Sequence, residues 1–138
     1  DAEGQGMIYI GKFLHTTHQQ EKSESNRRHG EINLIVFAAD KQAAIDKFKQ
    51  RIGEARSATG LLEGDATIYL LHILEMEDLP ESRARMFDYQ SVAGDPTMPV
   101  ISCQAPAGEN DGCRILDWQN NRPGVDGQTA RAFMKFSR

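Results

Sequence analysis

The chain lacks the features that mark several large classes of protein. It has only two cysteines, too few for a disulfide scaffold or for a structural zinc site made of thiolates alone. No apolar run approaches the roughly 20 residues of a membrane-spanning helix. The net charge of -4 argues against the broad basic surface on which many nucleic-acid binders depend. We therefore expect a soluble protein that binds neither membrane nor nucleic acid.

The composition is that of an ordinary globular domain. Of the 138 residues, 39% are hydrophobic and 26% are charged, which suits a chain that buries its own core. Residues 1–6 resemble a leader or an expression remnant, and we expect a single α+β domain over residues 7–138. A strand pattern follows Met7 directly, so we expect no signal peptide before the fold if Met7 is the natural start. If Met7 is the natural start, the default location is cytoplasmic.

A strand followed directly by a helix is the clearest pattern in the chain. Residues 32–38 are apolar except for Asn33, which indicates a strand buried on both faces. Asp40 stands where a helix N-cap belongs. The apolar spacing that follows predicts an amphipathic helix over about residues 40–59, with this stripe: Ala44, Ile45, Phe48, Ile52 and Ala55. Residues 32–56 are similar to the opening of many small ferredoxin-like α+β modules.

Several further segments predict the rest of a sheet. Residues 8–15 alternate like a strand, and Gly11 suggests an outer position for it. Residues 16–30 contain no aliphatic side chain and indicate a solvated loop, which we expect to be a disordered hairpin tip. Residues 67–76 are apolar on both faces and should lie centrally, beside residues 32–38. A short helix is expected at 78–85, and short strands at 86–92, 100–103, 113–118 and 130–136.

The predicted fold class is α+β, with one mixed or mostly antiparallel sheet of about five to seven strands and one main helix on one face. A single helix covers only one face, although two strands are apolar on both. The second face needs either the irregular C-terminal half from Met86 onward or the same face of a second copy. The predicted partner is accordingly a second copy, as a homodimer, or another protein.

Three histidines lie at the two ends of the predicted hairpin tip. If the ends approach, His15, His18 and His29 could together bind zinc or a similar ion. The spacing is loose, and residues three apart on a strand point to opposite faces. The competing interpretation, which we favour, is a set of scattered exposed histidines.

A fourth histidine lies inside a predicted strand. The pattern places His72 on the same face as Ile68 and Leu70, where it is either a satisfied core histidine or a catalytic base. A base needs an orienting partner and a reachable substrate, and the candidates for such a neighbour are Glu75, Tyr69, Glu77 and His15. The core interpretation is favoured.

The remaining motifs are weak. Cys103 and Cys113 flank a turn-rich loop and could pair across a hairpin, but two buried thiols are favoured in a reducing compartment. No phosphate-binding glycine loop or nucleophile elbow occurs, so no cofactor is predicted. The function remains unknown at this point. We favour a non-catalytic binding or self-association module, and the alternative is a small enzyme or metal-binding protein that uses His15, His18, His29 or His72.

Overall fold

A computed structural model describes residues 6–59, 62–94, 116 and 132–137. The chain divides into two compact units, Asp1–Tyr89 and Gln90–Arg138. In the second unit, the residues that the structure describes form neither helix nor strand. Every element discussed below belongs to the first unit, and the single domain over residues 7–138 stays a prediction.

The first unit is a three-stranded antiparallel sheet with one long helix packed on it. The order in the sheet is β2-β1-β3, and α1 packs against β2 and β1. The predicted α+β class with one helix on the sheet is confirmed, whereas the described residues contain three strands instead of the expected five to seven. The elements are β1 (Met7–Thr17), a 3-10 turn (Glu24–Asn26), β2 (Arg28–Ala38), α1 (Lys41–Thr59) and β3 (Ala66–Met76).

The helix begins where its sequence predicts. The Ala43 backbone N–H donates to Asp40 Oδ1 at 2.8 Å, which satisfies one of the free amides of the first turn. Ala44 and Phe48 are buried at 0% and 3% exposure, and Ile52 packs beside them. The N-cap and the apolar stripe are therefore confirmed, and the stripe holds α1 against one face of the sheet.

The first strand lies at the centre of the described sheet, so the predicted outer position is wrong. Gly11 explains the difference, because a Cβ added there would lie 2.8 Å from the Phe13 ring and 2.9 Å from the Phe48 ring. Those two rings form a T-shaped pair with centroids 5.7 Å apart. The glycine is thus a site of close approach for the helix, not a weak point at a sheet edge.

The third strand pairs with β1 alone among the described residues, so its predicted position beside β2 is wrong. Lys12 pairs with His72, whereas Phe13 pairs with Leu70. The extra residue, Leu71, forms a β-bulge that reverses the alternation of side chains. His72 therefore does not share a face with Leu70 as predicted. Leu70 itself is 51% exposed, so the expectation of burial on both faces of this strand is also wrong.

The connection between β1 and β2 is shorter than the predicted loop over residues 16–30. Both strands extend into that polar segment, because Thr17 still pairs with Arg28. The Gln19 side-chain amide donates to the carbonyls of both residues, at 2.8 and 3.3 Å. Hydrogen bonding along the ladder orders residues that have no aliphatic side chain to bury.

The predicted elements after β3 are absent wherever the structure describes them. Residues 78–85 form no helix, and residues 86–92 form no strand. Met86 is 80% exposed and Val92 is 85% exposed, so alternation alone did not produce a strand without a pairing partner. Residues 132–136 are described and form no strand. The strands predicted at 100–103 and 113–118 lie outside the described residues, except for the exposed Leu116.

Two glycine substitutions should have opposite effects on stability. We expect Gly11→Ala to lower the free energy of unfolding by about 1–3 kcal/mol, because the Phe13 and Phe48 rings must move. Gly53→Ala is the matched control, since an added Cβ at this mid-helix position meets nothing within 4 Å. It should raise the free energy of unfolding by about 0.5–1 kcal/mol. Urea denaturation measures both, and equal effects would contradict the assigned role of Gly11.

Candidate functional site

Half of the sheet face opposite α1 is a contiguous apolar surface. No described element covers this side, which we call the open face. The strand ladders bring together two rows of three apolar side chains, one centred on Ile8 and one on Ile10. Residues directly opposite each other on neighbouring strands share a face. The six side chains form what we call the apolar patch: Ile8, Ile10, Ile35, Phe37, Leu74 and Met76.

The patch projects its largest groups from β2. Ile35 is 63% exposed and Phe37 is 48% exposed, while the alternate residues Leu34 and Val36 pack toward the core with α1. A strand that is apolar on both faces normally has cover on both. On β2, the described residues supply cover on one face only. The patch is therefore a surface suited to binding another apolar surface.

A polar row borders the patch on one side. It consists of Asn33, Lys12 and His72, which are paired across the three strands. Lys12 Nζ lies 3.4 Å from Glu31 Oε1 in the next row. This ion pair places a positive and a negative charge at one end of the apolar patch.

A second ion pair lies at the other end of the patch. Arg85 Nη2 lies 2.8 Å from Asp78 Oδ1, and Arg85 Nη1 donates to the Asp78 carbonyl at 2.9 Å. The same nitrogen lies 3.5 Å from Met76 Sδ. The apolar patch is therefore bounded at both ends by charged side chains, as the core of a protein interface is bounded by a polar rim.

On the face that α1 covers, a tyrosine and a glutamate are joined. The Tyr9 hydroxyl donates to Glu75 Oε2 at 2.6 Å, and Tyr9 is 2% exposed. This hydrogen bond is the main cause that raises the pKa of Tyr9 to about 12, followed by burial and then by the charges of Glu75 and Asp40. Tyr9 therefore keeps its proton at neutral pH, and the pair links β1 to β3.

The three residues suggested as a catalytic group lie on two faces of the sheet. His72 and Tyr69 lie in neighbouring rows of the open face. Glu75 lies on the covered face, where it is bonded to Tyr9. His72 and Tyr69 therefore share the open face, whereas the Glu75 carboxylate lies on the covered face. A catalytic role for them stays a prediction.

His15 lies on the covered face, against β2. Gly30 pairs with it directly, and a Cβ added to Gly30 would lie 2.6 Å from His15 Nε2. His15 Nδ1 is buried, with no hydrogen-bond partner among the described residues. Burial lowers the pKa of His15, and the positive charge that His29 can carry lowers it further. The neutral imidazole is consequently the form that the fold favours.

The three candidate metal ligands are placed by the two ends of the hairpin. His15 lies on the covered face, and the exposed His29 lies in the next row of the ladder, on the open face. His18 is exposed and begins the loop with a φ of 58°. Among the described residues no three His, Cys, Asp or Glu side chains are grouped so that they could hold a metal ion. Cys103 and Cys113 lie outside those residues.

The apolar patch was only partly visible in the sequence. The run of residues 32–38 indicated a strand that is apolar on both faces, which is the signal for Ile35 and Phe37. The contribution of β3 was assigned to the wrong faces, because nothing in the sequence marks the bulge at Leu71. The bordering ion pairs join residues far apart in the chain, so no local pattern predicts them.

No family model, curated protein or solved structure matches this chain. In the part of the chain that the structure describes, no helix combines the length and the hydropathy needed to cross a membrane.

The partly buried His15 should make the fold sensitive to acid. Because the pKa of His15 is lowered in the folded state, the unfolded chain binds a proton that the folded chain resists as the pH falls below 6.5. The free energy of unfolding should decrease through that range and level off below the lowered pKa. Urea denaturation at several pH values measures this dependence.

We expect His15→Gln to reduce this acid dependence, whereas His18→Gln, which keeps His15, should retain it. An acid dependence that is unchanged in His15→Gln would contradict the assignment.

The Tyr9–Glu75 hydrogen bond should make the fold sensitive to alkali. The unfolded chain loses the Tyr9 proton near pH 10, whereas the folded chain holds it to about pH 12. The stability from this pair is therefore complete below about pH 10 and is lost as the pH rises toward 12. Tyr9→Phe should weaken that dependence in alkaline urea denaturation, and Tyr69→Phe should preserve it. Identical alkaline profiles for the two variants would argue against the hydrogen bond.

Proposed function

We propose that this chain is a non-catalytic binding module that associates with a second copy of itself through the apolar patch. The observation that carries the proposal is the exposure of Ile35 and Phe37, at 63% and 48%, within a contiguous apolar surface. Side chains of this size gain about 1.5–3 kcal/mol each on full burial. Ile35 and Phe37 are the most exposed of the six side chains and the other four are partly buried already, so burial of the patch favours association by a part of that gain for each side chain.

The open face has the dimensions of a protein interface. Three strands spaced about 4.8 Å apart, each eleven residues long with a rise of about 3.3 Å, give a flat footprint of about 14 by 36 Å, or roughly 500 Å². Projecting side chains increase the accessible area beyond that footprint. Stable complexes bury about 600–1,000 Å² on each partner. The apolar patch takes up about half of this footprint, so a contact centred on it lies at the small end of protein interfaces.

A second copy of the chain is the partner that best fits this surface. In a two-fold symmetric contact the same patch is used by both subunits, so one exposed apolar surface suffices. The second subunit supplies an apolar area of equal size and another pair of bordering charges. The closed dimer then leaves no further copy of the patch free, which avoids growth into fibres.

The candidate catalytic side chains lie on two different faces of the sheet, which supports a binding role over a catalytic one. Catalysis needs a base, its orienting partner and a substrate position within hydrogen-bond reach of one another. His72 lies on the open face, while Glu75 is bonded to Tyr9 on the other. The apolar patch, in contrast, is assembled from all three strands.

A single charge in the patch should separate the two subunits. We expect the wild-type chain to be a dimer in sedimentation equilibrium, and Ile35→Glu to raise the dissociation constant by at least about tenfold, because a carboxylate loses its hydration in the interface. Ile35 is mostly exposed in the single chain, so the fold should persist, as circular dichroism would verify.

Leu70→Glu is the matched control, since Leu70 is similarly exposed but lies on the side of β3 away from the patch. It should leave the dissociation constant unchanged. A wild-type chain that stays monomeric at every concentration would refute the proposal.

A further inference from the structure

We infer that the two copies pack face to face with their strands antiparallel, with the symmetry axis crossing β1 at the level of Tyr9. This inference depends on the proposed self-association and specifies its geometry. It rests on the position of one charged residue, Lys12, on the central strand, and on the ion pair at each end of the apolar patch.

Two symmetric ways of stacking the open faces bring apolar rows into contact. If the axis ran parallel to the strands, each residue of β1 would face its own copy. Lys12 would then lie opposite Lys12 of the partner subunit, in the middle of the contact. Two like charges taken from water together oppose association, since neither gains an opposite charge across the interface. This arrangement is disfavoured by the central position of Lys12.

If the axis instead crosses the strands at Tyr9, the two apolar rows exchange. The row of Ile8 lies over the row of Ile10 of the partner subunit, and the reverse contact is identical by symmetry. The row containing Lys12 then falls beyond the apolar contacts. The interface has an apolar core, and its charges lie at the rim, which is the usual distribution in protein interfaces.

The charges at the two ends of the patch are complementary in this arrangement. Lys12, with Glu31 beside it at 3.4 Å, is brought to the end of the partner that carries Asp78 and Arg85. These two are themselves 2.8 Å apart and lie next to Met76. The long side chain of Lys12 can reach Asp78 of the partner subunit. Symmetry provides that contact twice, which favours the antiparallel orientation over the parallel one.

Cross-linking of engineered cysteines with a bismaleimide of about 10 Å span distinguishes the two orientations, since this span matches the spacing of two stacked sheets. In a full-length background with Cys103→Ser and Cys113→Ser, an Ile35→Cys chain is mixed with a tagged Phe37→Cys chain or with a tagged Leu74→Cys chain. The antiparallel arrangement places position 35 over position 37, and the parallel one places it over position 74. We expect the bismaleimide to link 35 to 37 several-fold more than 35 to 74, as measured by denaturing gels and mass spectrometry of the linked peptides.

A charge exchange tests the rim contact separately. Lys12→Glu and Asp78→Lys should each raise the dissociation constant by about three- to tenfold. The double variant should bind more tightly than either single variant, because the opposite charges face each other again. Urea denaturation of each variant checks that the fold of the single chain is retained.

The outcomes separate this inference from the proposed function. A dimer in sedimentation equilibrium that links 35 mainly to 74, links neither pair, or shows no rescue in the double variant would overturn the antiparallel geometry and leave self-association standing. A chain that is monomeric in sedimentation would overturn both.

Discussion

The packing of α1 on the sheet depends on the missing side chain at Gly11. The Phe13 and Phe48 rings occupy the space that a Cβ would need, 2.8 and 2.9 Å from its position, and they meet as a T-shaped pair. This contact holds the helix over the central strand and buries Ala44 beneath it. Because α1 packs on one face of the sheet, no described helix covers the opposite face.

The bulge at Leu71 decides what that opposite face contains. Before the bulge, β3 places Tyr69 on the open face, and after it Leu74 and Met76 join the rows formed by β1 and β2. Without the extra residue, the last part of β3 would present Ile73 and Glu75 instead. One local irregularity therefore completes the apolar patch, and the same irregularity directs Glu75 toward Tyr9 on the covered side.

The two faces consequently have different chemistry. The covered face holds an apolar core together with two polar features, the Tyr9–Glu75 hydrogen bond and the partly buried His15, whose Nδ1 is buried. The hydrogen bond to Glu75 is the main cause of the raised pKa of Tyr9, whereas burial is the main cause of the lowered pKa of His15. The open face combines an apolar half with charges at its borders. A surface of this kind supports association of two proteins, which is why the proposed function is placed there.

The local sequence pattern predicted α1, its Asp40 N-cap and the α+β class. This was possible because helix periodicity and capping involve residues a few positions apart. The same pattern showed that residues 32–38 are apolar on both faces, and so pointed to half of the candidate site. Strand order, the bulge at Leu71, the role of Gly11 and the bordering ion pairs were decided only by tertiary structure. Each of these depends on which distant segments pair, and pairing is set by the packing of the whole sheet, which no short stretch of sequence records.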